Sequence, residues 1–130
     1  MAYANDRKYT KEHEWIKLDA SNQVATIGIT AYAVEQLGDV VHLDLPEVGK
    51  KFKNGESFGT VESTKTVSDL YMPASGEIIE RNNTLMDAPE ELPEDAHEKG
   101  WLVKVRVTEL SQDLLSASEY EKYIQEEANK

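Results

Sequence analysis

The sequence predicts a mainly-β fold, a small barrel or sandwich of short strands with a short internal helix and a helical tail. Three observations carry this expectation. Short β-like segments recur along the chain, and Gln23-Val24-Ala25-Thr26-Ile27-Gly28-Ile29 alternates as a half-buried strand does. Gly49, Gly55, Gly59 and Gly76 punctuate the middle of the chain and leave only short β-like pieces between them. Helical spacing is confined to one internal stretch and the tail.

Taken in order, Trp15-Ile16-Lys17-Leu18 reads as a strand and Asp19-Ala20-Ser21-Asn22 as a turn. After the strand ending at Ile29, Thr30 is placed to cap a helix that runs to Leu37 and stops at Gly38. Its inner face would hold Ala33, Val34 and Leu37. Val40–Leu45 is a further strand closed by Pro46, and Asn54-Gly55 is a tight-turn signal. Glu56–Glu62, Thr66–Tyr71 and Glu77–Glu80 are the strands between the glycines. Asp87–Lys99 reads as an acidic loop with Pro89 and Pro93, and Trp101–Val107 as the last strand. Leu114 and Leu115 fit a short turn. Ser118-Glu119-Tyr120-Glu121 has the form of a capping box, and Tyr120, Tyr123 and Ile124 share one helical face that packs back on the body. No linker or low-complexity segment interrupts the chain, so residues 1–130 are expected to form one domain, with a core at about 9–108 and a helical segment at about 111–128.

Composition narrows the function. With 14 Lys+Arg against 25 Asp+Glu, the formal charge of −11 opposes nucleic-acid binding, which needs a basic face, and docking on anionic membranes. Residues 87–130 carry net −7 of that charge, a solvated face or a surface that steers basic partners. Cysteine is absent, which removes disulfides, thiolate metal sites and cysteine nucleophiles, so any redox group must be borrowed. No apolar run approaches the ~18 residues of a membrane span, and Met1–Lys8 lacks the apolar stretch of a signal peptide. The expectation is a cytoplasmic protein, with a processed mitochondrial chain as the alternative.

Three motifs resolve into ordinary structure. Gly55-Glu56-Ser57-Phe58-Gly59 matches the G-x-S-x-G nucleophile elbow, but more strand follows it instead of the helix that motif needs, so Ser57 reads as a strand residue. His13-Glu14 begins like H-E-x-x-H, yet Lys17 stands where the second histidine belongs, and His42 and His97 have no ligand spacing. Asn82-Asn83-Thr84 is a glycosylation sequon without a secretory signal. Lys65 remains, in a turn between two β-like segments and flanked by uncharged residues. Spacing leaves two readings open: a plain turn lysine, or a lysine presented to a modifying enzyme that converts its ammonium into an amide.

Glu62-Ser63-Thr64-Lys65-Thr66-Val67-Ser68-Asp69-Leu70-Tyr71-Met72-Pro73-Ala74-Ser75-Gly76 closely resembles the lipoylation segment of the glycine cleavage system H proteins. Tyr9–Trp15, Val24–Thr30, Leu45–Gly49 and Gly100–Lys104 resemble the same family in the same order, so the likeness spans about Tyr9 to Tyr123. Two departures stand out. Thr66-Val67 follow the lysine where the family usually has small residues, which bears on recognition by a lipoylating enzyme. Asp95–Gly100 replaces a Pro-Tyr-Gly-containing turn, which is expected to alter only a loop.

The resemblance implies a barrel-sandwich hybrid, a flattened β-barrel of the lipoyl/biotinyl-carrier type, and a non-catalytic carrier with lipoate joined to Lys65. It implies an aminomethyl group received from glycine decarboxylase, a pyridoxal phosphate enzyme, and passed on by aminomethyltransferase to tetrahydrofolate. Dihydrolipoyl dehydrogenase, with FAD and NAD, would reoxidise the arm, and a lipoate-attaching enzyme would install it. By the same resemblance, Glu14 and Asp69, with Glu12 a further candidate, line a cleft that shelters the loaded arm; the alternative is plain solvated carboxylates. The neighbouring families fit less well. A 2-oxo acid dehydrogenase lipoyl domain has Asp where Thr64 stands, and a biotin carrier has methionines where Thr64 and Thr66 stand. An H-like protein serving mainly as a lipoyl donor to other enzymes is the closest rival.

Overall fold

The computed structural model describes residues 3–94 and 96–128; readings that touch Met1, Ala2, Asp95, Asn129 or Lys130 lie outside the described residues. Among the described residues nine strands form two antiparallel sheets. The larger contains β1 (Lys8–Tyr9), β2 (Glu14–Leu18), β3 (Val24–Ile29), β9 (Val103–Leu110), β8 (Ala74–Arg81) and β5 (Lys51–Phe52), in that spatial order. The smaller has β6 (Ser57–Ser63) between β4 (Val40–Asp44) and β7 (Val67–Tyr71). Alternate residues of both sheets meet in one core: Ile16, Ile27, Ile78 and Val105 from the larger pack with Leu43, Val61 and Leu70 from the smaller. Period-2 patterning thus closes a sandwich, as the spacing predicts.

Helix α1 (Ala31–Leu37) bridges the two sheets and starts and stops on local signals. The Thr30 hydroxyl accepts from the Ala33 N–H at 3.2 Å, and Gly38 closes the helix with φ +79°, a conformation L side chains rarely adopt. The structure adds one element just before the stretch read as an acidic loop and one inside it. Asn82 caps a short helix, α2 (Asn83–Asp87), by accepting from the Leu85 N–H at 3.1 Å, and a 3-10 turn follows over Pro89–Glu94. The tail also begins later than the expected residue 111. Helix α3 covers Ala117–Ala128, and its capping box is Ser116–Glu119, two residues before the expected one.

The turn at 96–100 does more than vary a loop. The Ala96 carbonyl accepts from Trp15 Nε1 at 3.1 Å, His97 Nε2 accepts from the Ala31 N–H at 2.9 Å, and Glu98 pairs with the buried Arg7 at 3.0 Å. Arg7 in turn lies over the Trp15 ring at 4.7 Å. Gly28 pairs with Trp15 across β2 and β3, and a methyl built on it would sit 2.5 Å from the indole. Gly28→Ala is therefore expected to destabilise by about 2–3 kcal/mol, because a buried indole pinned on both faces has nowhere to move. A urea midpoint unchanged from wild type would contradict that packing.

Candidate functional site

Lys65 stands at the turn between β6 and β7, exposed. The turn is built by Ser63, whose buried hydroxyl accepts from the N–H groups of Lys65 at 3.1 Å and Thr66 at 3.2 Å. Ser63 N–H bonds the Thr66 carbonyl at 2.8 Å, closing the hairpin. The tip is also tied to the end of α1, because Thr64 N–H donates to the Asp39 carbonyl at 3.0 Å. The lysine stem consequently lies against Gly38, where an added methyl would be 3.5 Å from Lys65 Cε.

From this turn a groove of about 340 Å³ runs between α1, β7 and the 12–14 turn. It brings together Glu12, Glu14 and Asp69, the three carboxylates singled out from the sequence, and Thr66 reaches its wall. Ile29, Leu37 and Leu70 supply apolar surface. A larger hollow of about 540 Å³, between Lys11, Asn54 and Ser111–Leu115, touches neither the lysine turn nor a buried charge. The smaller groove is the one with chemistry in it.

The three carboxylates differ in environment. Glu12 is exposed, and Asp69 is exposed on β7, where its Oδ1 accepts from the Ser57 hydroxyl at 3.3 Å. Ser57 also bonds the Gly59 carbonyl, and strand follows it, so it is no elbow nucleophile. Glu14 is 1% exposed. Its Oε2 accepts from the Tyr71 N–H, while Oε1 is buried without a hydrogen-bond partner. Burial raises the Glu14 carboxyl to about 8, and the negative charge of Glu12 adds to the rise. At neutral pH this side chain is mainly a neutral acid, with one oxygen open to a partner.

Sequence reasoning missed His13 and Glu127, which also line the groove. His13 has φ +70° and links β1–β2 to α3: Nδ1 is 2.8 Å from Tyr120 Oη and Nε2 is 3.2 Å from Glu127 Oε2. The failed H-E-x-x-H match marked this histidine, but nothing local pairs it with a residue near the C-terminus. Among the described residues no group of three or more His, Asp or Glu is arranged to hold a metal ion, and no helix is long and apolar enough to cross a membrane.

A flattened β-sandwich that presents one lysine on a braced hairpin beside a carboxylate-walled groove is the architecture of a carrier domain for a tethered group. The sequence model of the family described as Glycine cleavage H-protein matches residues 7–127. A glycine cleavage system H protein of Herpetosiphon aurantiacus is 55% identical over 122 residues, covering 94% of this chain and 93% of the relative. One from Staphylococcus epidermidis is 50% identical over 128 residues, covering 97% of this chain and all of the relative. The crystal structure of a glycine cleavage system H protein from Mycobacterium marinum superposes with a TM-score of 0.87 at 44% identity, covering 97% of this chain and 99% of that one. The chain belongs to the glycine cleavage H-protein family. Members of this family carry lipoate and serve the glycine cleavage system as its carrier component.

Proposed function

We propose that Lys65 is the lipoate attachment point and that the protein carries the aminomethyl group of glycine from glycine decarboxylase to aminomethyltransferase. The braced turn that holds Lys65 at the mouth of the groove is the observation that carries this reading. Lipoate, joined as an amide to Lys65 Nζ, supplies the sulfur that accepts the aminomethyl group and the dithiol–disulfide couple that dihydrolipoyl dehydrogenase resets. The remaining chemistry belongs to this chain. Ser63 and the Thr64–Asp39 bond fix the attachment point while the lysine stays open to a lipoate-attaching enzyme. Ile29, Leu37 and Leu70 exclude water from whatever lies along them.

The walls fit a long, largely apolar arm that ends in an amine. The unpartnered Glu14 Oε1 offers an acceptor, and a cation beside Glu14 favours its ionised form, so charge appears where it is matched. Asp69 and Glu12 stand exposed at the open side, where their carboxylates attract an ammonium. A neutral arm end gains none of this attraction. On this basis the groove retains the loaded arm and releases the emptied one.

Intact-mass measurement of protein made with a lipoylating enzyme, wild type against Lys65→Arg, tests the attachment point. The expected result is one lipoyl-sized increment in wild type and none in the variant; an increment that survives the substitution refutes the assignment. Incubating the lipoylated protein with glycine decarboxylase, pyridoxal phosphate and glycine then tests the transfer. A lipoylated protein that the decarboxylase fails to load would make it a lipoyl donor for other enzymes instead.

A further inference from the structure

The groove has a wall that the sequence did not announce. Glu127, in the last turn of α3, lies against it, more than a hundred positions along the chain from Glu12–Glu14. Both of its carboxylate oxygens are engaged: Tyr123 Oη donates to Oε1 at 2.9 Å, and Oε2 faces His13 Nε2 at 3.2 Å. Burial lowers the His13 pKa and so favours the neutral ring, in which Nε2–H is the donor to Glu127. Nδ1 is then an acceptor, and it faces Tyr120 Oη at 2.8 Å.

That assignment propagates without conflict. Tyr120 O–H donates to His13, Thr30 O–H donates to Tyr120 Oη at 2.7 Å, and the Ala33 N–H donates to Thr30 Oγ1. One directed chain of hydrogen bonds therefore runs from the first turn of α1, through the α3 tyrosine and the histidine, to Glu127. Such aligned chains reinforce their members, and each buried group in them is expensive to leave unpaired.

The histidine at its centre also has a strained backbone. A non-glycine residue at φ +70° costs on the order of 1–3 kcal/mol and persists only where its surroundings hold it. The carbonyl of His13 accepts from Thr30 N–H at 2.9 Å and its own N–H donates to Thr10 at 3.0 Å. Its ring packs against Tyr32 of α1 at 4.8 Å between centroids, and against Tyr120 and Tyr123 of α3. Because His13 sits between Glu12 and Glu14, its conformation decides where both carboxyls point. Tyr32 lines the opposite side of the groove, so the same ring spaces the two walls.

We propose that Glu127 is a positioning residue for the groove: by holding His13, it sets the Glu14 carboxyl on one wall and the first turn of α1 on the other. α3 is in this sense part of the carrier site and not only a solvated tail. The proposal rests on the reading that an arm on Lys65 uses this groove.

The test uses the full chain as wild type, Glu127→Ala, Glu127→Gln and, as a control on the same helix, Glu126→Ala. NMR of the unlipoylated protein reads the positioning directly, with no arm present. The groups facing His13 are Glu12 in its own turn, Tyr32 on α1, and Tyr120, Tyr123 and Glu127 on α3. Glu127→Gln keeps an acceptor but removes a charge, so the His13 titration is expected to move to lower pH. The Tyr71 amide, which donates to Glu14, is expected to shift in Glu127→Ala and to stay near its wild-type position in Glu127→Gln. In lipoylated protein loaded with the aminomethyl group, hydrolytic loss of that group is expected to be several-fold faster in Glu127→Ala and restored by glutamine. Wild-type His13 titration, Tyr71 shift and adduct lifetime in Glu127→Ala would overturn the proposal. If Lys65 proves not to carry lipoate, the carrier reading fails by mass alone, and the unlipoylated spectra still decide whether Glu127 positions the 12–14 turn.

Discussion

Glu14→Gln is expected to leave stability near pH 4 almost unchanged and to raise it at pH 8 by an amount on the order of 3–5 kcal/mol. The difference follows from proton counts. In the unfolded chain the Glu14 carboxyl titrates near its ordinary value of 4.5, whereas in the folded protein burial lifts it to about 8. Between those two values the native state holds a proton that the unfolded state has released, so stability falls as pH rises. Below 4.5 both states are protonated and the full stability is present; above 8 both are ionised and the loss is complete. Glutamine is uncharged throughout and retains an oxygen for the Tyr71 N–H, so its unfolding free energy lacks this slope. Urea unfolding of both proteins at pH 4, 6 and 8 measures the difference, and parallel stability–pH curves would contradict a neutral buried Glu14. On the proposed reading the gain in stability has a functional counterpart: glutamine never acquires the charge that matches an arriving ammonium, so Glu14→Gln is expected to retain a loaded arm less well.

Tyr120→Ala is expected to destabilise by about 4 kcal/mol, lowering Tm by on the order of 10 °C or more. Tyr120 is fully buried, stacked on Tyr9 with centroids 5.0 Å apart and edge-on to Tyr3 at 5.2 Å. Its cluster with Trp15 and Ala117 is separate from the sandwich core and attaches α3 to the larger sheet. Removing the ring leaves a cavity among rigid aromatics that have little freedom to collapse. Tyr120→Phe separates packing from hydrogen bonding: the ring remains, but His13 Nδ1 and Thr30 Oγ1 lose their shared partner, a loss of about 1–3 kcal/mol. Thermal unfolding ranks wild type, phenylalanine and alanine in that order. Equal Tm values for the phenylalanine and alanine variants would mean that the hydroxyl and not the ring holds α3 in place.

What was legible in the sequence was local. Thr30 and Gly38 bound α1 because a cap acts within a few residues, and both lie where the helix begins and ends. Seven of the strands were legible as short β-like segments, with ends off by at most three residues, while the two-residue strands β1 and β5 were not. The tail shows the limit of local signals. Ser116-Ala117-Ser118-Glu119-Tyr120-Glu121 contains two overlapping capping boxes, and spacing cannot choose between them. Tertiary structure chooses the first, because Tyr9 and Leu115 exchange backbone hydrogen bonds at 2.8 and 2.7 Å and hold the chain extended up to the helix start. Asn82 is a similar case: noted in the sequence only as the start of a sequon, it caps α2 while its amide donates to the Lys99 and Trp101 carbonyls, two partners far along the chain.

The candidate site divides in the same way. Spacing left Lys65 as either of two kinds of turn lysine, and resemblance to a family singled out Glu12, Glu14 and Asp69. The depth of Glu14, and the chain of bonds from Glu127 to Ala33, depend on contacts between residues far apart in sequence. No periodicity records such contacts.

The single backbone bond from Thr64 to Asp39 has a consequence for delivery. By tying the hairpin tip to the end of α1, it makes Lys65 a fixed pivot. Anything tethered to Lys65 then explores only the shell that its own length permits, and its free end has an effective concentration in the millimolar range at any site within that shell. On the proposed reading, a partner enzyme need only dock within tether reach to meet the cargo at that concentration, however dilute the carrier is in solution. Loosening the pivot would spread the same cargo through a larger volume and lower the local concentration without altering a single atom of the arm.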